Sequence, residues 1–172
     1  MAPVFDPERV LRTLNHHEVR YVVIGGLASE ILGAPIVTAD TDICYERSRE
    51  NMERLAAALA QLGAKLRVAT VGEDLPFLLD ATTLAAGDSF TFTTDAGPVD
   101  VLRTPAGTGG FRDLDARAVP YDLGEGLVVR VADLDDVIRM KEAASRAKDE
   151  AHLHVLAALK EMLEEAESAP PS

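Results

Sequence analysis

The sequence contains few residues of several kinds, and each shortage excludes a class of protein. Its single cysteine, Cys44, excludes an internal disulfide and a cysteine-rich zinc site. With no tryptophan, three tyrosines and five phenylalanines, it lacks the aromatic surface on which single-stranded nucleic acid stacks. No apolar run reaches the roughly 18–20 residues that cross a bilayer, and the N-terminus does not have the pattern of a signal peptide. We therefore expect a cytoplasmic protein without a membrane partner.

Basic residues are scarce relative to acidic ones. The chain has 17 Lys and Arg against 29 Asp and Glu, which gives a formal net charge of −12 at pH 7. Such a charge repels phosphate backbones, so a nucleic-acid contact would need a local basic patch, for which 139–148 ("RMKEAASRAK") is the candidate. The rest of the composition is typical of a globular protein, and 172 residues suit one domain.

Apolar periodicity predicts helices and strands in alternation. A first helix at 7–15 has Asp6 as its N-cap and Pro7 at its first position. Strands are predicted where β-branched residues run together, and helices where apolar residues recur every three or four positions. The later elements are predicted as strand 19–26, helix 27–34, strand 37–45, helix 48–63, edge strand 64–70, hairpin 89–104, strand 126–132, and helices 133–145 and 149–166.

This order of elements indicates an α/β (α+β) fold, a mixed sheet flanked by helices with a C-terminal helical pair. We expect a core at 1–132, two helices at 133–167 packed on that core, and a disordered tail at 168–172. Pro76 excludes a long helix in the irregular middle of the chain.

The segment "TADTDI" at 38–43 places two acids on a predicted strand. Asp40 and Asp42 would point to the same face, because strand residues two apart share a side. Burying such a pair without a counter-charge costs several kcal/mol for each carboxylate. Mg²⁺, which prefers oxygen ligands, would neutralise them. The alternative is an exposed sheet edge at which both carboxylates are solvated.

Two further features lie near this pair in the predicted fold. Gly25 and Gly26 end a strand and begin a helix, where backbone N–H groups suit a phosphate; a tight turn without a ligand is the alternative. Asp100 lies between Val99 and Val101 in a strand, so it needs a partner unless it sits at an edge or a bulge. Three carboxylates on strands fit a two-metal phosphoryl-transfer site.

Lys141 lies on the apolar stripe of the predicted helix 133–145. It shares that stripe with Leu134 and Ile138, since spacings of three and four keep one helix face. One interpretation extends its long stem to solvent. The other points the ammonium into a cleft, toward a triphosphate or a leaving pyrophosphate.

The combination of these motifs resembles a known superfamily. The order of motifs is similar to that of the polymerase-β-type nucleotidyltransferases: Gly-Gly, a short helix, Gly33, Thr38, Asp-x-Asp and a later acid on a strand. More narrowly, the chain resembles the small bacterial AbiEii-like nucleotidyltransferases, which include toxins of toxin–antitoxin pairs. The resemblance covers 19–42, 100–104 and 129–152, and none is found over 64–88.

The resemblance implies a nucleotidyltransferase-like sheet and a role for each motif residue. Gly25 and Gly26 would hold the triphosphate of an NTP, and Asp40, Asp42 and Asp100 would bind two Mg²⁺ ions. Asp100 would also receive or orient the proton of the acceptor hydroxyl.

A second motif, "R-x-K-D", is similar to a turn between two helices in related sequences. The resemblance implies that Arg146 and Lys148 contact nucleotide phosphates. Asp149 suits the first turn of the last helix, where its charge matches the helix dipole. His152 and His154 are expected to face solvent or to pack between helices.

The implied function is Mg²⁺-dependent transfer of a nucleoside monophosphate from an NTP to an acceptor hydroxyl. RNA, typically a tRNA 3′ end, is the expected acceptor, and an antitoxin protein is a possible partner. Ile36 stands where close relatives often have arginine, which leaves a catalytically silent nucleotide-binding module as an alternative. Two further alternatives are transfer to a protein or a small molecule, and a structural domain whose acids are merely solvated.

Overall fold

An eight-stranded mixed sheet forms the centre of the part of the chain that the computed structural model describes, residues 4–67, 74–75, 79–144 and 147–169. The strands are β1 (Tyr21–Ile24), β2 (Thr41–Tyr45), β3 (Lys65–Arg67), β4 (Asp74–Leu75), β5 (Ser89–Thr93), β6 (Val99–Leu102), β7 (Val119–Asp122) and β8 (Val128–Val131). Their spatial order is β4-β3-β5-β6-β2-β1-β8-β7. The pairs β2–β6 and β1–β8 are parallel and the others antiparallel, so the sheet is mixed as predicted.

Seven helices flank this sheet in the described ranges. They are α1 (Pro7–His16), α2 (Gly25–Ile31), α3 (Arg49–Gln61), α4 (Ala81–Ala86), α5 (Phe111–Asp115), α6 (Leu134–Ala144) and α7 (Ala147–Ser168). The predicted C-terminal helical pair is therefore confirmed as α6 and α7. None of the described helices is both long and apolar enough to cross a membrane.

The first and third helices begin where their capping residues predict. Asp6 accepts a hydrogen bond from the N–H of Arg9 at 3.0 Å, and Ser48 accepts one from Asn51 at 3.2 Å. Both bonds satisfy backbone donors that a helix start leaves free. The largest fully buried side chains come from strands β2 and β5, from helices α1, α3, α4, α5 and α7, and from the residue directly after α3: Tyr45, Phe92, Leu11, Leu14, Ile43, Leu55, Leu59, Leu62, Leu84, Leu114 and Leu156.

The prediction of a strand over 37–45 was wrong at its start. β2 begins at Thr41, so Asp40 precedes the strand instead of lying on it. On one side the antiparallel pairing of β2 with β1 ends at Asp42, because Gly25 already belongs to α2. On the other side the pairing with β6 begins at Thr41, whose N–H donates to the carbonyl of Pro98 at 3.0 Å. Pro98 has no N–H with which to extend the ladder toward residue 40.

The place of one predicted strand needs correction, and two further elements were not predicted. The segment 64–70 was predicted as an edge strand, but β3 lies between β4 and β5 and β4 forms the edge, while 68–70 lie outside the described residues. The sequence analysis missed α5, whose five residues are too few for helical periodicity to show. It also missed β7, in which Pro120 is tolerated because β7 is an edge strand. Of the expected tail, residues 170–172 lie outside the description.

A network of ion pairs joins α5 and the residues after it to α6 and the residue before it. Its acids, which we call the paired acids, are Asp113, Asp133 and Asp136, and its cations are Arg117 and Arg139. Arg117 binds both carboxylate oxygens of Asp136, whose side chain is 2% exposed. Arg139 lies 2.9 Å from an oxygen of Asp136 and 2.9 Å from one of Asp113. Each buried negative charge here has a partner supplied by the chain itself.

Candidate active site

Asp42 and Asp100 lie side by side at the centre of the sheet. They are direct register partners on the parallel strands β2 and β6, so their side chains lie on the same face. Asp40 joins them from the bend before β2, where Thr38 Oγ1 donates to its carboxylate at 3.0 Å and to its backbone carbonyl at 3.2 Å. One oxygen from each of the three carboxylates lies within 4.8 Å of the others. We call Asp40, Asp42 and Asp100 the cleft acids.

Two of the cleft acids have buried oxygen atoms without a hydrogen-bond partner. Oδ1 of Asp42 and Oδ1 of Asp100 are both inaccessible to solvent and accept no hydrogen bond. The pKa of Asp42 is raised to about 8, first by burial and then by its contacts with Asp100 and Asp40, while Lys141 acts in the opposite direction. A buried oxygen that accepts nothing is rare in native proteins and calls for a specific explanation.

The cleft acids fit a divalent cation. Carboxylate oxygens from three residues converge on one point, which is the ligand set that Mg²⁺ takes in proteins that bind substrate phosphates. Such an ion would remove the repulsion among the three carboxylates and give the two unpartnered oxygens a ligand. The site fits a divalent cation because the oxygens converge, and not only because three acids are present.

The glycine pair lies against the cleft acids. A Cβ on Gly25, which has a φ of +68°, would stand 2.3 Å from Oδ2 of Asp42. A Cβ on Gly26 would stand 2.9 Å from both Cβ and Oγ1 of Thr38. Both glycines therefore have a structural reason to be present, because they let the start of α2 approach the residues that form the acid cluster. Their predicted contact with a triphosphate stays a prediction.

Lys141 lines the same cleft, which is the second of the two interpretations that the sequence left open for it. Its side chain is 14% exposed, and Nζ lies 3.4 Å from Oδ1 of Asp149 and 3.4 Å from Nδ1 of His152. The stem therefore does not extend freely to solvent. Asp149 is buried in the first turn of α7, so its position agrees with the expected helix start, but it also faces Lys141.

The other sequence-predicted phosphate contacts cannot be placed. Arg146 lies outside the described residues, and the side chain of Lys148 in the first turn of α7 is not described either. Ile36, where relatives often have arginine, is buried in the wall of the cleft. Among the described residues that line the cleft, the cations are Arg67 and Lys141.

The sequence analysis missed the apolar part of the lining of the cleft. The cleft has a volume of about 720 Å³, and its apolar lining includes Phe90, Leu102, Pro105, Ala106, Met140 and Ala144. Those residues come from β5, β6, the loop after β6 and α6, so no local pattern joins them. It also missed that His152 faces the cleft, because the contact with Lys141 depends on how α6 and α7 pack together.

Comparison with solved structures identifies the fold. The lincosamide antibiotic adenylyltransferase LnuA, solved with lincomycin bound, has a TM-score of 0.61 at 12% identity, over 91% of this chain and 99% of that chain. The antibiotic-resistance factor ANT(2'')-Ia has a TM-score of 0.55 at 15% identity, over 91% and 82%. An antigenic nucleotidyltransferase-like protein from Paracoccidioides brasiliensis has a TM-score of 0.50 at 14% identity, over 92% and 78%. The fold is that of the nucleotidyltransferases.

The comparisons by sequence add no closer relationship. No protein-family model matches the chain, and no curated protein matches it. At 12–15% identity the structural similarity establishes the fold and leaves the chemistry to the residues of the cleft. The expected nucleotidyltransferase fold is confirmed; the narrower AbiEii-like assignment stays a prediction.

Proposed function

We propose that the protein is a Mg²⁺-dependent nucleotidyltransferase that moves a nucleoside monophosphate from an NTP to an acceptor hydroxyl. The observation that carries this proposal is the convergence of Asp40, Asp42 and Asp100, with two buried unpartnered oxygens, in a fold shared with nucleotidyltransferases. A structural cluster would supply its own cations, as the paired acids do. This cluster leaves its charge for a ligand to neutralise.

The cleft acids would hold the metal. Bound Mg²⁺ would neutralise charge on the phosphoryl oxygens and orient the triphosphate, in the manner of two-ion transfer sites. Because ligands must be deprotonated, the raised pKa of Asp42, about 8, makes metal binding compete with a proton at this carboxyl group. Binding should therefore strengthen as pH rises toward that value.

The residues of the chain account for the movement of the proton and the leaving group. The acceptor oxygen forms a bond to the α-phosphorus of the NTP as the bond to pyrophosphate breaks. Asp100 would take or orient the hydroxyl proton, the role that the resemblance gives it, from its position beside Asp42 in the lining of the cleft. Lys141 would place its positive charge near the departing pyrophosphate.

A small molecule is the acceptor that the described cleft suits better than RNA. Part of the lining is apolar, Arg67 and Lys141 are the cations among the described lining residues, and the net charge is −12. A polynucleotide would require several phosphate contacts from lysine or arginine. A volume of about 720 Å³ lies in the range of small-molecule sites. The similar structures include an adenylyltransferase solved with lincomycin bound and ANT(2")-Ia in complex with adenylyl-2"-tobramycin.

The test is a transfer assay with an acceptor panel. Wild-type protein and Asp42→Ala would be incubated with Mg²⁺, each NTP labelled at the α-phosphate, and lincomycin, tobramycin or total tRNA. We expect label on a small hydroxyl compound with wild type and none with Asp42→Ala. Incorporation that survives the substitution would contradict the metal assignment.

Two other outcomes would change the proposed acceptor or the proposed activity. Label on tRNA would restore RNA as the acceptor and favour the toxin interpretation. Calorimetric binding of NTP that requires Mg²⁺, without label on any acceptor, would favour the catalytically silent module suggested by Ile36.

A further inference from the structure

The ammonium group of Lys141 is held between two acceptors from α7. Oδ1 of Asp149 and Nδ1 of His152 each lie 3.4 Å from Nζ. Asp149 is 6% exposed, and His152 is half-buried in the wall of the cleft. The three residues come from two helices, and their side chains meet where α6 packs on α7.

The number of donors on lysine makes this arrangement informative. An ammonium has three N–H donors, and two of them point at Asp149 and His152. The third is left for a group in the cleft that the lysine lines. The imidazole can accept from the ammonium at Nδ1 in the tautomer that carries its proton on Nε2.

We propose that His152 is a positioning residue that keeps the ammonium of Lys141 directed into the cleft, where it meets the phosphates of the nucleotide. The inference rests on the proposed function and adds to it a residue that this function does not require. With Asp149 as the sole acceptor, the flexible four-carbon stem of lysine could turn the ammonium about that single contact. Two acceptors from one helix fix its direction.

Three substitutions at residue 152 separate the acceptor from the bulk of the side chain. In His152→Asn, the amide oxygen can occupy the place of Nδ1 and accept from Lys141. In His152→Gln, the amide reaches the place of Nε2, and in His152→Leu the side chain has no acceptor. His154→Leu, an exposed position two residues along the same helix, is the matched control.

The first measurement concerns the nucleotide. We expect His152→Leu and His152→Gln to lower kcat/KM for the NTP about tenfold, the size of one hydrogen bond to a charged group, with the acceptor KM unchanged. His152→Asn should restore most of this loss, and His154→Leu should resemble wild type. Thermal melts identify any variant that fails to fold. In a Lys141→Met background, His152→Leu should cause no further loss, and a further loss would overturn the proposal.

The second measurement does not depend on nucleotidyl transfer. Acetic anhydride labels lysine amines, and mass spectrometry compares Lys141 with the exposed Lys65 in each variant. We expect labelling of Lys141 to rise roughly threefold in His152→Leu, because a released ammonium moves toward solvent on its stem. An unchanged rate would overturn the positioning role. If wild type neither binds nor transfers nucleotide, the proposed function fails while the labelling still decides the role of His152.

Discussion

The protein contains two clusters of three aspartates that differ in where their counter-charge comes from. The paired acids are neutralised by Arg117 and Arg139, and the most buried of them, Asp136, is bound through both its carboxylate oxygens. The cleft acids have no arginine partner in the described structure, and two of them carry buried oxygens that accept no hydrogen bond. Aspartates are thus neutralised by arginines of the chain in one cluster and have no such counter-charge in the other.

This difference separates a structural role from a functional one. A buried ion pair whose charges are balanced within the chain links elements, here α5 and α6, and needs no counter-ion from outside. A cluster whose burial and mutual repulsion raise the pKa of Asp42 to about 8 reduces the stability of the metal-free protein as pH rises above the ordinary range of a carboxyl group. Such a cluster is expected where a ligand supplies the missing charge. The following predictions test this comparison, from the largest effect to the smallest.

The largest effect should come from removing one cleft acid. We expect Asp100→Asn to lower the transfer rate by about a thousandfold or more, since both a ligand oxygen and the proton acceptor are lost. Asp133→Asn, in the other cluster, should leave kcat/KM within about threefold. Transfer assays on both purified variants check this. Equal losses would remove the distinction between the clusters.

Removing the most buried of the paired acids should affect stability. Asp136→Ala leaves Arg117 and Arg139 without their shared partner, which should cost about 3 kcal/mol of the free energy of unfolding. Urea unfolding measures the change, and Asp88→Ala, whose side chain is 81% exposed, is the control. Mg²⁺ affinity of folded Asp136→Ala should match wild type, and a large loss of affinity would contradict the assignment.

Asp42 should make stability depend on pH in the metal-free protein. The folded state keeps this proton up to about pH 8, whereas the unfolded chain releases it near the ordinary value of 3.8. The stabilisation from the protonated carboxyl is therefore complete below about pH 4 and is lost as pH rises to about 8. Near pH 8 without metal, Asp42→Asn should be more stable than wild type by on the order of 2 kcal/mol.

Urea unfolding at pH 4, 6 and 8 in the presence of a chelator measures this dependence. The difference between the two proteins should be small at pH 4 and grow with pH. Added Mg²⁺ should stabilise wild type and not Asp42→Asn, by linkage to binding. A difference that does not vary with pH would contradict the buried, raised-pKa description of Asp42.

The smallest effect should come from the close approach of α2 to the cleft acids. Gly25→Ala and Gly124→Ala both place a side chain at positive φ, but Gly25 meets Asp42 at 2.3 Å while Gly124 has no atom within 4 Å. Gly25→Ala should therefore cost about 1 kcal/mol more in free energy of unfolding than Gly124→Ala. Thermal or urea unfolding checks the difference. Equal costs would show that backbone strain, and not the contact with Asp42, dominates.

Local physical rules made parts of the fold and site predictable. Asp6 and Ser48 mark helix starts because a side-chain acceptor satisfies free N–H groups in the first turn. The alternation around Phe90 and Phe92 predicts β5, and an acid between valines marks Asp100 as exceptional. Each of these features is decided within a few residues of the chain, so one sequence suffices to find it.

Contacts between distant segments were not predictable in the same way. The start of β2 depends on Pro98, which directly precedes β6, and on Gly25, which directly follows β1. No pattern inside 37–45 indicates either contact. The pairing of Lys141 with His152 depends on the packing of α6 on α7.

The sequence by itself determined the composition of this protein's site: two glycines after a strand, three acids among apolar residues, and a lysine on an apolar helix face. Only the tertiary structure decided which charges remain unpaired. Asp42 and Asp100 meet because β2 and β6 pair in parallel at that register, while the paired acids meet arginines instead. Side-chain charge is a property of a residue, but its neutralisation depends on which distant residues the fold brings within a few ångströms.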